Sequence, residues 1–220
     1  RRAQDALKKL YLTAKAWDEL EQFYAAQDKW DEFIRVLERQ VESEEAETKI
    51  QLLFKTATLW LEKMSKPDRA VKAYEQVLEV DASNLAAAEA LIPLFRDAAN
   101  FRRLVAVLEI QLGHTTDPVL RLERVRALAG IYEESLRDQG TALTRYLETF
   151  QSAFEEEWLR TEIERLAEAT GDWGRLVSAY EVASGKFGDP AGALPLLGVV
   201  ARIYEEKLGE EYERYLWICA

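Results

Sequence analysis

Apolar residues along the chain recur at i, i+3, i+4 and i+7, as in Leu52, Leu53, Thr56, Ala57, Leu59 and Trp60, and the two-residue alternation of a half-buried strand is absent. Short polar stretches interrupt the pattern at Ser65 to Pro67, Asp81 to Asn84, Ala99-Asn100, Thr115 to Pro118, Gly171-Asp172 and Gly188 to Pro190. Several supply an N-cap residue or a proline at a first helical turn. The spacing predicts helices near 2–10, 14–27, 30–43, 46–64, 67–80, 84–98, 100–113, 118–137, 139–152, 155–170, 172–186, 190–208 and 210–218. They pair into six hairpins, at 14–43, 46–80, 84–113, 117–152, 155–186 and 189–219, after an orphan helix in residues 1–13.

A longer period lies over the helical one. Trp30, Phe101 and Trp173 stand 71 and 72 residues apart, and each opens an aromatic-x-x-apolar-apolar-x-x-apolar-Glu run that ends at Glu38, Glu109 and Glu181. In step with them, Ala57, Ala129 and Ala201 recur every 72 residues, as do Trp60, Tyr132 and Tyr204, followed by Met64, Leu136 and Leu208. An alanine three residues before an aromatic puts both on one helix face, where the small residue admits a neighbouring helix and the aromatic packs on it. The period therefore covers two hairpins. Hairpins of this kind bury their apolar faces only against their neighbours, so residues 1–220 are expected to form a single array with a continuous core. Residues 1–13 read as the second helix of a hairpin, and Trp217-Ile218-Cys219 lacks a polar cap, so the array is expected to be a segment of a longer one.

These blocks resemble the tetratricopeptide repeat. Its W-x2-L-G-x2-Y then A-x3-F pattern is partly met by Leu128-Ala129-x2-Tyr132 with Ala142-x3-Tyr146, and by Ala57-x2-Trp60 with Ala70-x3-Tyr74. Leu91 with Phe95, and Leu20 with Tyr24, fill the leucine and tyrosine positions of other copies. Departures are Ala82 and Phe154 for the closing proline, and Ala88 and Val125 for the first tryptophan. The resemblance implies an all-α fold, a right-handed α-solenoid of about six antiparallel hairpins. It also implies that a protein or peptide is held in a concave groove lined by the first helix of each hairpin. Carried onto this chain, the groove positions are Lys15, Asp18, Gln22, Gln51, Phe54, Glu89, Arg96, Glu123, Arg126, Trp158, Arg165 and Arg202. The asparagines and lysines with which some relatives clamp a C-terminal carboxylate are not met, because Asn84 and Asn100 both fall at helix starts.

Composition narrows the partners. A formal charge of −11, from 29 Lys and Arg against 40 Asp and Glu, should repel phosphate backbones and anionic lipid surfaces. Neither nucleic acid nor membrane is expected as a partner, and no apolar run approaches the length of a spanning helix. One cysteine, Cys219, allows neither an intrachain disulfide nor a cysteine metal site.

Candidate chemistry is sparse. His114 is the single histidine and sits in a turn, without a second ligand or an identifiable nucleophile elbow. Nothing near Cys219 would lower its pKa. The acidic runs around Glu44 to Glu47, at Glu155 to Glu157 and at Glu210-Glu211 precede or open helices, where they complement the macrodipole, and they lack the alternation of a calcium loop. Ser184-Gly185-Lys186 lacks the upstream glycine and the strand of a phosphate loop. No catalytic, metal or cofactor role is expected. Aromatic residues read as core, except that Trp158 maps to the groove and is the candidate anchor for a partner. Three function classes follow: a protein-binding scaffold; a structural segment of a larger or self-associating assembly, joined through the ends of the array; and an RNA-processing scaffold of half-tetratricopeptide type that does not itself touch RNA.

Overall fold

The computed structural model describes residues 2–209, with twelve α-helices and, among the described residues, no strand. The predicted helix at 210–218, with Glu210, Glu211 and Cys219, lies outside them. The helices are α1 (Arg2–Thr13), α2 (Trp17–Ala25), α3 (Trp30–Val41), α4 (Ala46–Glu62), α5 (Pro67–Val80), α6 (Leu85–Asp97), α7 (Phe101–Gly113), α8 (Pro118–Gly130), α9 (Gln139–Phe150), α10 (Glu157–Thr170), α11 (Trp173–Ser184) and α12 (Pro190–Ile203). Five-residue π-helical turns, Ile131–Ser135 and Tyr204–Leu208, extend α8 and α12. Each helix lies within a few residues of its sequence-based bounds.

Helix starts follow the capping logic. Asn84, Asn100, Asp117 and Asp138 each accept a hydrogen bond from the backbone N–H three residues on, which satisfies one of the orphan donors of the first turn. Prolines open α5, α8 and α12.

The chain divides into two compact units, Arg1–His114 and Thr115–Ala220. In the first, α4 packs against α3 and α5, and α6 against α5 and α7. Its core holds Leu20, Tyr24, Phe33, Leu52, Ala57, Trp60, Tyr74, Leu91 and Leu104. Trp60, the aromatic of the first alanine–aromatic block, is 7% exposed. His114, exposed at the end of α7, has its Nε2 2.7 Å from the Ser83 carbonyl oxygen. A carbonyl only accepts, so Nε2 carries the proton and the ring ties the α5–α6 turn to the end of α7. In the second unit α9 packs on α8 and α10, and α12 on α11. Leu128, Ala129, Leu143, Phe150, Leu159, Ile163, Leu176 and Tyr180 are buried there.

The turns inside the hairpins explain the 72-residue period. Each has one residue with positive φ: Asp28, Ser65, Ala99, Arg137 and Gly171. In the hairpins that turn at Asp28 and Ala99 the chain closes with a six-to-one bond, Lys29 N–H to the Tyr24 carbonyl (3.1 Å) and Asn100 N–H to the Phe95 carbonyl (2.9 Å). Those that turn at Ser65 and Arg137 close one residue wider, Lys66 N–H to the Trp60 carbonyl and Asp138 N–H to the Tyr132 carbonyl, both at 2.8 Å. Over these four hairpins narrow and wide closures alternate with a period of two hairpins, whereas the turn at Gly171 closes through its own N–H to the Ala167 carbonyl at 2.8 Å. A second device recurs in step: Lys63 Nζ lies 5.2 Å from the centroid of Trp30, and Lys207 Nζ 5.0 Å from that of Trp173. In both, a cation near the end of one hairpin's first helix covers the aromatic that opens the second helix of the hairpin before it.

Candidate protein-interaction surface

Three of the residues carried onto the groove, Arg126, Trp158 and Arg165, come together in the second unit. Trp158, Glu162 and Arg165 lie at i, i+4 and i+7 on α10 and therefore share one face. The Trp158 indole is half-buried. The buried Tyr146 ring of α9 meets it edge-on, with centroids 6.1 Å apart and planes at 81°. The Arg126 guanidinium of α8 lies over the indole, 5.2 Å from its centroid, a cation on the negative face of the ring.

Beside this aromatic platform, Arg165 is saturated. Its two terminal nitrogens donate to the two carboxylate oxygens of Glu133, both at 2.7 Å, and it donates to Glu162 at 2.7 and 3.0 Å. Glu133 sits in the π-helical extension of α8, and a widened turn is a recurrent means of re-aiming a side chain. Hydrogen bonding from Arg165 holds the Glu133 carboxyl below the usual range. The same bonds, to Glu133 first and Glu162 second, push the Arg165 guanidinium up. Burial, with the Glu162 charge adding to it, pushes the Tyr146 hydroxyl up to about 12, so it stays protonated at neutral pH. Arg126 is exposed and makes no ion pair among the described residues. Its fork of donors is open to solvent above an apolar platform, while Glu133 and Glu162 are committed to Arg165. Glu123, one turn earlier on α8, is exposed.

The remaining groove candidates are dispersed. Lys15 is paired with Glu44. Asp18 accepts from Lys55 at 2.7 Å, and Lys55 also reaches Glu21 at 2.6 Å. Burial alone would lower the Lys55 pKa, but its hydrogen bonds to the two carboxylates outweigh burial and the pKa is raised. Gln22, Gln51 and Arg96 are exposed. Phe54 is half-buried and packs edge-on against Tyr74, 5.6 Å between centroids, and Glu89 accepts from Gln111 at 3.4 Å. Arg202 borders a cavity of about 290 Å³ with Glu164, Trp173 and Lys207.

Sequence reasoning did not single out Glu133, Glu162, Lys55 or Glu21, and it named Tyr146 only as a repeat-motif aromatic. A signal for the charged pairs exists. Glu133 and Arg165 are 32 residues apart and Glu21 and Lys55 are 34 apart, close to one hairpin, so the same register on successive first helices brings them into reach. Among the described residues no group of three or more His, Cys, Asp or Glu could hold a metal ion, and no helix is long and apolar enough to cross a membrane.

No protein-family profile matches the chain, and no curated protein is found similar to it. Among solved structures, one described as "MamA RS-1 ArsTM double mutant" is similar at 14% sequence identity, over 80% of this chain and 97% of that one, with a TM-score of 0.41. The protein is all-α, built of consecutive antiparallel helix hairpins with a two-hairpin repeat.

Proposed function

We propose that the chain is a tetratricopeptide-like scaffold that holds a protein or peptide segment on the face formed by the first helices of its hairpins, with α8 and α10 as the centre of the site. The observation that carries this reading is the unpaired Arg126 guanidinium over half-buried Trp158. An aromatic platform beside an uncommitted arginine has the composition of an interface hot spot, in which Trp, Tyr and Arg are enriched. The neighbouring Arg165 network keeps the platform in place by joining α10 to the end of α8.

The test is affinity capture of a partner with wild type and with Arg126→Glu, the fold of both checked by helical circular dichroism. Arg126 makes no ion pair, so its reversal should leave the fold intact. A partner retained by wild type and lost by the variant supports the reading. Equal capture by both would move binding to another surface. If neither captures a protein, the scaffold reading gives way to that of a structural segment.

A further inference from the structure

In the first unit the second helices α3 and α5 flank a cleft over α4, enclosing about 310 Å³. Leu53, Thr56 and Trp60 of α4 line it, together with six charged side chains: Glu38, Glu42, Lys49, Arg69, Lys72 and Glu79. Elsewhere in this unit acids and bases meet, Lys15 with Glu44, Lys55 with Asp18 and Glu21, Arg103 with Glu75. Around the cleft none of the six makes an ion pair among the described residues.

Helix direction sorts these charges. Because α4 runs antiparallel to its neighbours in the hairpins, the first turns of α5, with Arg69 and Lys72, lie beside the last turns of α4, with Trp60. Arg69 and Lys66 stand over the Trp60 ring, at 5.9 and 5.4 Å from its centroid. At the opposite end, where α4 begins, Glu38 and Glu42 close α3 and Glu79 closes α5, with Lys49 as the cation among them. The cleft is thus cationic at the Trp60 end and acidic at the other, with Leu53, Thr56, Ala73 and Gln76 between.

The charges also fix a length. From Arg69 to Glu79 is ten residues of helix, about 15 Å at the α-helical rise. Two side chains four residues apart on an extended strand are separated by about 13 Å. A helical occupant would need about nine or ten residues to cover the same distance, where about five residues of extended chain suffice. We propose that this cleft is a second docking site, distinct from the first-helix face, for an extended peptide segment. That segment carries a carboxylate side chain and, four residues away, an ammonium or guanidinium side chain. The carboxylate lies against Arg69 and Lys72, the cation against Glu38, Glu42 and Glu79, and the intervening small side chains on the floor between them.

Blocked pentapeptides test this directly: Asp-Ala-Ala-Ala-Lys, with Asp-Ala-Ala-Ala-Asp and Lys-Ala-Ala-Ala-Lys as controls. The readout is the Trp60 indole N–H signal in nitrogen–proton correlation spectra of the whole chain, assigned by its loss in Trp60→Phe. The mixed-charge peptide should shift this signal saturably, with the two single-charge peptides weaker by about tenfold, as like-charge juxtaposition at one end demands. Arg69→Glu combined with Lys72→Glu makes both ends acidic and should switch the preference to the doubly basic peptide. Glu38→Lys with Glu42→Lys is the mirror variant, and should favour the doubly acidic one. Equal response to the three peptides, no response to the mixed one, or unchanged preference in a folded charge-swapped variant would each overturn the proposal. Because this site is read at Trp60 and the first-helix face by capture with Arg126→Glu, failure here leaves the first-helix reading intact.

Discussion

The units on either side of His114 use one device on their first helices, and they differ in what stands next to it. In the first, Lys55 of α4 takes two carboxylates of α2, Asp18 and Glu21. In the second, Arg165 of α10 takes Glu133, at the end of α8, and Glu162 of its own helix. Each is one cation between two acids, and each ties one first helix to the next. Beside Lys55, Phe54 packs edge-on against Tyr74 with no cation over its ring among the described residues; beside Arg165 lies Trp158 under the unpaired Arg126. The comparison separates side chains that hold the repeat in register from one that is left over for a partner, although a mapping from sequence alone ranks Asp18, Arg126 and Arg165 equally.

The largest expected effect tests equivalence of register. Trp60 and Tyr132 occupy the same repeat position, but Trp60 is buried whereas Tyr132 is half-buried. Trp60→Ala should cost about 3–5 kcal/mol in urea unfolding, the range for a large buried aromatic. Tyr132→Ala should cost roughly half as much, in proportion to the smaller area it removes from water. Equal losses would mean that the two units bury this position alike.

Next come two buried tyrosines. Tyr180 donates to Glu164 at 2.8 Å, whereas the buried Tyr24 hydroxyl has no hydrogen-bond partner among the described residues. Tyr180→Phe should cost about 1.5–3 kcal/mol, as for a hydrogen bond to a charged group, while Tyr24→Phe should be neutral or slightly stabilising. A reversed order would show that the hydroxyl of Tyr24 is satisfied in solution.

A smaller gain is expected at a turn. Ala99 has φ of 51°, a left-handed conformation that costs an L-residue about 1–2 kcal/mol and glycine almost nothing. Ala99→Gly should therefore stabilise the chain by up to about 1 kcal/mol, since glycine's greater unfolded-state freedom offsets part of the relief. Thermal unfolding measures it, and a loss of stability would refute the left-handed assignment.

The smallest effect is on acid stability. The folded-state pKa of Glu133 lies below its ordinary value of 4.5 because of Arg165. This contribution is present above the ordinary value and is lost as pH falls through the depressed one. Arg165 is 46% exposed, and solvent screening limits the contribution to under about 1 kcal/mol. Arg165→Met should lower stability at neutral pH, and by less at a pH low enough to protonate Glu133 in the folded wild type as well, where the pair is already weakened. An equal loss at both pH values would mean that the arginine acts through packing alone.

Helices and period were legible because they rest on apolar spacing and on bulky side chains that recur in phase: Trp30, Phe101, Trp173, and Ala57, Ala129, Ala201. The caps at Asn84, Asn100 and Asp117 were legible because short polar side chains have a local task. The left-handed turns at Asp28, Ser65, Ala99 and Arg137 were not, since none is glycine, the residue whose presence announces such a turn. The widened closures at Trp60 and Tyr132 were equally silent, because they consist of backbone bonds that most side chains tolerate. Register alone placed Arg126, Trp158 and Arg165 on first helices. It did not distinguish the saturated arginine from the open one, a difference set by Glu133, which arrives from one hairpin away.

The alternation of narrow and wide closures sets the grain at which such a chain can be lengthened or shortened. The narrow closures at 28 and 99 stand 71 residues apart and the wide ones at 65 and 137 stand 72 apart, so over these four turns a splice of one hairpin pair returns each to its own kind. A splice of one hairpin would join two closures of the same width. Across these turns the hairpin pair, not the single hairpin, is the step by which copies can be added without setting like closures side by side.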